Sequence, residues 1–171
     1  MSELIVYFSR AHENYFNGQI RDVKTGNTEI AAGILQQLTG ADLFQLEPVQ
    51  AYAADYNQCI AQAKEDQERD ARPELKAYPD LDGVDTVYLG YPNYWGTMPM
   101  PVFTFLEHYD WEGKTIFPFC TNEGSGMGTS EDDIRRLAPN AGLGKGLSIH
   151  GAEAGKSEKA MKKWVKRSAL A

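Results

Sequence analysis

Residues 4–8 read Leu-Ile-Val-Tyr-Phe with no polar interruption. A strand with one face in water alternates apolar and polar side chains, so an unbroken run demands burial on both faces. Further strand-like runs occupy residues 42–46, 84–89, 115–120 and, more weakly, 146–150, with helical periodicity between them. After Thr28, Ile30, Ala31, Ile34, Leu35 and Leu38 recur at the spacing of one buried helix face, and Gly40 closes the pattern as a C-terminal cap. Helices are also predicted over residues 55–69, after Pro99 and Pro101, after Ser130 with Asp133 as its capping-box partner, and over residues 157–166. Strands alternating with helices define a parallel sheet covered on both faces. The expected fold is a three-layer α/β/α sandwich whose five-stranded parallel sheet has the order 2-1-3-4-5, in a single domain over residues 1–171.

The charge balance narrows the function. With 17 basic against 24 acidic side chains, the net charge of −7 opposes nucleic-acid binding, which needs clustered Lys and Arg. No stretch approaches the roughly 18 apolar residues of a membrane span, and no leader pattern opens the chain, so a cytoplasmic protein is expected. Cys59 and Cys120 stand far apart outside any CxxC pair, and His12, His108 and His150 are isolated. Neither a disulfide framework nor a metal site follows from such spacing.

Ligands of such sheets bind beyond the carboxyl ends of the strands, near the point where strand order reverses. Three unusual loops fall at that edge. The first leads from Ser9 to Thr25-Gly26-Asn27-Thr28 at the mouth of a helix, where hydroxyls and free N–H groups can hold a phosphate. The second is Gly90-Tyr91-Pro92-Asn93-Tyr94-Trp95-Gly96-Thr97-Met98-Pro99. The third runs Phe119-Cys120-Thr121-Asn122-Glu123-Gly124-Ser125-Gly126-Met127-Gly128.

Together, in this order and across nearly the whole chain, the three loops resemble the flavodoxin family of FMN-binding proteins. The likeness is greatest to a bacterial subgroup with a Tyr-Pro-Asn-aromatic-Trp-Gly loop. The resemblance implies one non-covalent FMN and a redox function. Ser9, Thr25, Asn27 and Thr28 would hold the phosphate, with Gly26 permitting close backbone approach. Trp95, or secondarily Tyr94, would stack on the flavin ring, Pro92 and Asn93 would set the turn, and Gly96 and Thr97 would offer backbone groups. Thr121, Asn122, Glu123, Gly124, Ser125 and Gly126 would complete the site. Plainer readings remain beside these: an N-cap at residues 25–28, a core Trp95 beside Met98 and Met100, and a solvated Glu123.

Two departures from the family pattern bear on function. Residues 10–24 are inserted where a typical flavodoxin has one or two, and they carry Arg10, Arg21, Lys24, Tyr15 and Phe16. The insert could fold over the phosphate, cover the flavin rim, contact a second subunit or lie in solvent; it leaves Asn27 and Thr28 more firmly tied to the helix than Thr25. Residues 121–128 contain no aromatic, where many flavodoxins stack a second ring. That absence favours an open flavin face unless the insert or a second subunit covers it. A carboxylate such as Glu123 about 8 Å from the ring would oppose added negative charge by roughly 2 kcal/mol, or about 90 mV.

Rival motifs fail on spacing. The glycines of residues 124–128 read GxGxG after the fourth strand instead of GxGxxG after the first, residues 144–146 lack a Walker frame, and Gly126 stands where a Cys-x5-Arg phosphatase loop needs arginine. Two functions remain. The chain is expected to be an electron carrier whose acidic surface steers it to a redox protein partner, with an FMN-dependent oxidoreductase acting on a nicotinamide or quinone substrate as the alternative. A monomer or homodimer is compatible with either.

Overall fold

The computed structural model describes residues 2–169. Strand β1 (Ser2–Tyr7) is followed by a hairpin, β2 (His12–Phe16) and β3 (Gln19–Val23), and then by α1 (Asn27–Thr39), β4 (Asp42–Gln45) and α2 (Tyr56–Glu68). The second half comprises β5 (Val84–Pro92), α3 (Met100–Glu107), β6 (Thr115–Asn122), α4 (Ser130–Leu137), β7 (Gly142–Leu143), β8 (Leu147–His150), a 3-10 turn over Gly151–Lys156, and α5 (Glu158–Ala169).

The main sheet is parallel in the order β4-β1-β5-β6-β7, with β8 continuing along β6 beyond β7. By position this is the expected 2-1-3-4-5 arrangement, and the fold is flavodoxin-like. The weak last strand is split for a reason carried by β6. Gly144 N–H donates to the Ile116 carbonyl at 2.9 Å, so Ile116 and Pro118 face this edge, and Pro118 has no N–H to continue the ladder.

The unbroken apolar runs divide between two cores. Val6, Phe8, Val87, Leu89, Ile116 and Cys120 face α3 and α4. Ile5, Tyr7, Tyr88, Phe117 and Phe119 face α1 and α5, whose Ala31, Leu35, Met161 and Trp164 are buried against them. Alternation is present, but both faces are covered, so it leaves no polar trace in sequence. Gly40 caps α1 at φ 74° with its N–H on the Gln36 carbonyl, and Asp55 caps α2 by accepting from Gln58 N–H.

The capping box does not form. Thr129, not Ser130, precedes α4; the Ser130 hydroxyl donates to the Met127 carbonyl and meets Tyr91 Oη, while the Asp133 carboxylate accepts from the Thr97 and Thr129 hydroxyls. Ser130 is engaged by Tyr91 and the Met127 carbonyl and Asp133 by Thr97 and Thr129, so neither member is left for the box. Cys59 and Cys120 are free and buried. Among the described residues no helix is long and apolar enough to cross a membrane, and no His, Cys, Asp or Glu cluster could hold a metal.

Candidate functional site

The loops after β1, β5 and β6 meet at the carboxyl edge of the sheet, where the chain's path reverses between β1 and β5. They enclose a cavity of about 380 Å³, within the usual range for a small-molecule site. Ser9, Asn27, Thr28, Pro92, Asn93, Tyr94, Trp95, Gly96, Thr121, Asn122, Glu123 and Ser125 line it. Thr25, Gly26, Thr97, Gly124 and Gly126 do not, although all but Thr25 adjoin a residue that does.

The phosphate-type turn is built from the core outward. The Thr28 hydroxyl bonds Thr121 Oγ1 at 2.8 Å in a buried contact, which joins the start of α1 to the end of β6. Ser9 Oγ accepts the Glu29 N–H at 3.0 Å and so caps the first turn from outside the helix. The N–H groups of Asn27 and Thr28 find no acceptor among the described residues, as first-turn donors do, and they are available to an anion. Gly26 is required by its own chain: a Cβ there would stand 2.5 Å from the Arg10 carbonyl oxygen and 2.4 Å from Ser9 Oγ. The close approach expected at Gly26 is therefore made by residues 9–10.

The second loop is a tight turn. Tyr94 and Thr97 exchange backbone hydrogen bonds, and Trp95 and Gly96 between them both take positive φ, 55° and 89°. A left-handed tryptophan is strained and needs outside support. It receives three contacts from α2: its indole N–H donates to the Ile60 carbonyl at 2.8 Å, its carbonyl accepts from Gln67, and Lys64 lies over its ring. Trp95 is 47% exposed, which excludes a core role and leaves an aromatic surface at the cavity mouth. Tyr94 is instead wedged edge-on against Phe8 and Tyr52. Burial, reinforced by Cys59, holds its phenol well above the usual range.

The backbone groups expected to serve a ligand at Gly96 and Thr97 are used within the chain. Gly96 N–H donates to Asn93 Oδ1, its carbonyl accepts from Thr129, and Thr97 N–H donates to Tyr94. Asn93 spans the second and third loops by also donating to the Gly126 carbonyl. Asn122 organises the third loop, its Oδ1 accepting the N–H groups of Gly124 and Gly126 and its amide reaching Ser148. Gly128 admits the second loop, because a Cβ would meet the Gly96 carbonyl oxygen at 2.0 Å.

Glu123 borders the cavity with both carboxylate oxygens buried and lacking a well-aligned hydrogen bond. His150 Nε2 lies 2.9 Å from its Oε2 and 3.0 Å from Asn17 Oδ1. Burial raises the Glu123 carboxyl above its ordinary pKa, opposed by His150 and the Asn17 backbone.

The insert is the largest addition to the sequence reading. Residues 10–24 form a hairpin whose two-residue turn is Asn17-Gly18, with φ of 50° and 83°. Asn-Gly is the strongest short-range signal for such a turn, and it stands in the sequence. The Arg10 guanidinium ties the hairpin's root to the carbonyls of Glu13, Ala53 and Ala54, and Glu13 accepts the Tyr56 N–H. Arg10, Asn14 and Tyr15 thereby reach the cavity wall. Tyr56, Cys59, Ile60 and Ala63 of α2 join them at a helical spacing that reveals one face but not what it faces. Gly151, the remaining wall residue, gives no signal in sequence.

An α/β fold with an anion-competent helix start and an aromatic turn at its switch point defines a nucleotide-type ligand site. The family model described as Flavodoxin matches residues 21–168, and the chain belongs to the flavodoxin family. A protein of Bacteroides eggerthii assigned as a flavoprotein is similar at 28% identity, with 99% of each chain covered and a TM-score of 0.78. A flavoprotein from Lactobacillus acidophilus crystallised in complex with FMN shares the fold at 16% identity, with 96% and 98% covered and a TM-score of 0.64. Oxidised flavodoxin 2 from Bacillus cereus shares it at 16% identity, with 98% and 99% covered and a TM-score of 0.55. Comparison with curated protein sequences found no match.

Proposed function

We propose that this flavodoxin-family chain binds one FMN non-covalently in the cavity and carries electrons to a protein partner in the cytoplasm. The observation that carries the reading is the convergence of three loops on one cavity that begins at the unpaired N–H groups of Asn27 and Thr28 and ends at the exposed Trp95. These residues fit the group. The helix start and Ser9 would receive the phosphate, the polar third loop the ribityl chain, and Trp95 a flat ring. FMN supplies one- and two-electron redox chemistry when bound. The chain's part is to anchor the phosphate with fixed dipoles, exclude water with Tyr94 and α2, and present an acidic surface that speeds encounter with a basic partner.

A second reading has its own support. The third loop contributes only the small Ser125 beyond Glu123 to the cavity wall, which leaves room beside it for a nicotinamide or quinone. Loading the purified chain with FMN and mixing it with NADPH separates the two. Slow or absent bleaching of the flavin absorbance, with rapid electron delivery from the dithionite-reduced protein to a basic cytochrome, supports the carrier; rapid bleaching by NADPH overturns it.

A further inference from the structure

The third loop lacks an aromatic side chain, yet the cavity has aromatic residues beyond Trp95 and Tyr94. Tyr15, on the first strand of the inserted hairpin, and Tyr56, the first residue of α2, both line it, with ring centroids 6.0 Å apart and planes inclined by 33°. Tyr15 is 44% exposed, so its ring is not consumed by the core. The hairpin is fastened at both ends. Arg10 and Glu13 bind its root to residues 53–56, and Asn17 at its tip meets His150, which also contacts Glu123. A solvated excursion has no cause to be tied at both ends across a cavity.

We propose that the inserted hairpin is part of the cofactor site and that Tyr15, backed by Tyr56, provides an aromatic contact to the flavin that the third loop does not supply. The inference rests on the FMN reading and deepens it. Tyr56 restricts the Tyr15 ring before the ligand arrives, so less side-chain freedom is lost on contact. Across the ladder Tyr15 pairs with Ile20, and Gln19 pairs with Phe16; neither Ile20 nor Gln19 lines the cavity.

The test titrates FMN into the wild type, Tyr15→Ala, Tyr15→Phe and Gln19→Ala, following affinity and flavin fluorescence together. Aromatic rings in contact with a flavin quench its emission, a signal that a purely structural role would not move. Tyr15→Ala is expected to weaken binding about tenfold and to brighten the bound flavin, with Tyr15→Phe and Gln19→Ala close to wild type. Unchanged affinity and quenching in Tyr15→Ala would overturn the proposal, as would equal losses in Tyr15→Ala and Gln19→Ala. A wild type that binds no FMN would fail at the first titration and overturn the functional reading itself.

Discussion

The turn of residues 25–28, through Asn27 and Thr28, and the hairpin that precedes it border one cavity but are held in different ways. The turn is fixed from within: Thr28 is buried against Thr121, Gly26 has no space for a side chain, and Ser9 caps the first turn of α1. The hairpin is fixed from without, by half-exposed bonds from Arg10 and Glu13 to residues 53–56 and by contacts of Asn17 at its tip with His150 and Glu123. The proposed phosphate turn is thus built into the core, which suits a group that must hold a ligand precisely. A segment attached by a few polar bonds depends on those bonds and not on the packing of the sheet.

Gly26→Ala should produce the largest effect, because its Cβ would meet the backbone of Arg10 and not merely a flexible side chain. Either the hairpin root or the helix start must shift. Overpacking of this kind costs about 1–3 kcal/mol, and FMN affinity should fall at least a hundredfold because the phosphate donors move with the helix. Isothermal titration and thermal melting check both. An affinity near wild type would show that the two regions are less distinct than their packing implies.

Thr28→Val ranks second. Valine keeps the shape but strands the buried Thr121 hydroxyl, at a cost of about 1–3 kcal/mol. At this length that lowers Tm by about 2–4 °C per kcal/mol, measurable on the apoprotein. Arg10→Gln should act differently. Without the guanidinium, exchange of the hairpin amides should rise about tenfold while those of α1 and β1 keep their protection. Faster exchange throughout the sheet would make the hairpin a structural member instead of an attachment.

Legibility in the sequence followed the same division. Elements specified by burial could be read: the doubly covered strands, the α1 stripe ending at Gly40, and the three loops at one edge. Asn27, Thr28 and Trp95 could be placed at the cavity because a polar helix mouth and a Pro-Asn-x-x-Gly turn both follow strands at the carboxyl edge of the sheet. Elements specified by pairing could not. Asp133 fits a capping box in sequence, but Thr97 and Thr129 occupy its carboxylate, and nothing local announces that competition. Asn17-Gly18 announces a hairpin but not where its tip lands. Thr25 and Thr97 belong to the right loops, yet one lies outside the cavity and the other bonds Asp133.

Glu123 touches both regions and sharpens the contrast most finely. A Cβ at Gly151 would lie 2.7 Å from the side-chain Nδ2 of Asn27 and 3.3 Å from Glu123 Oε1, and His150 links the same carboxylate to the hairpin tip. Because burial raises its pKa, the fold favours the protonated form. The stability this group contributes is present below the unfolded value near 4.5 and is lost as pH rises through the higher folded value. Glu123→Gln is neutral throughout, so it should raise the apoprotein's Tm slightly at pH 7, with the difference vanishing below about pH 4. It should also raise the potential of bound FMN, since one opposing charge is gone. A lower Tm at pH 7 would mean that the pairing with His150, and with it the closed hairpin, outweighs the burial of the carboxylate.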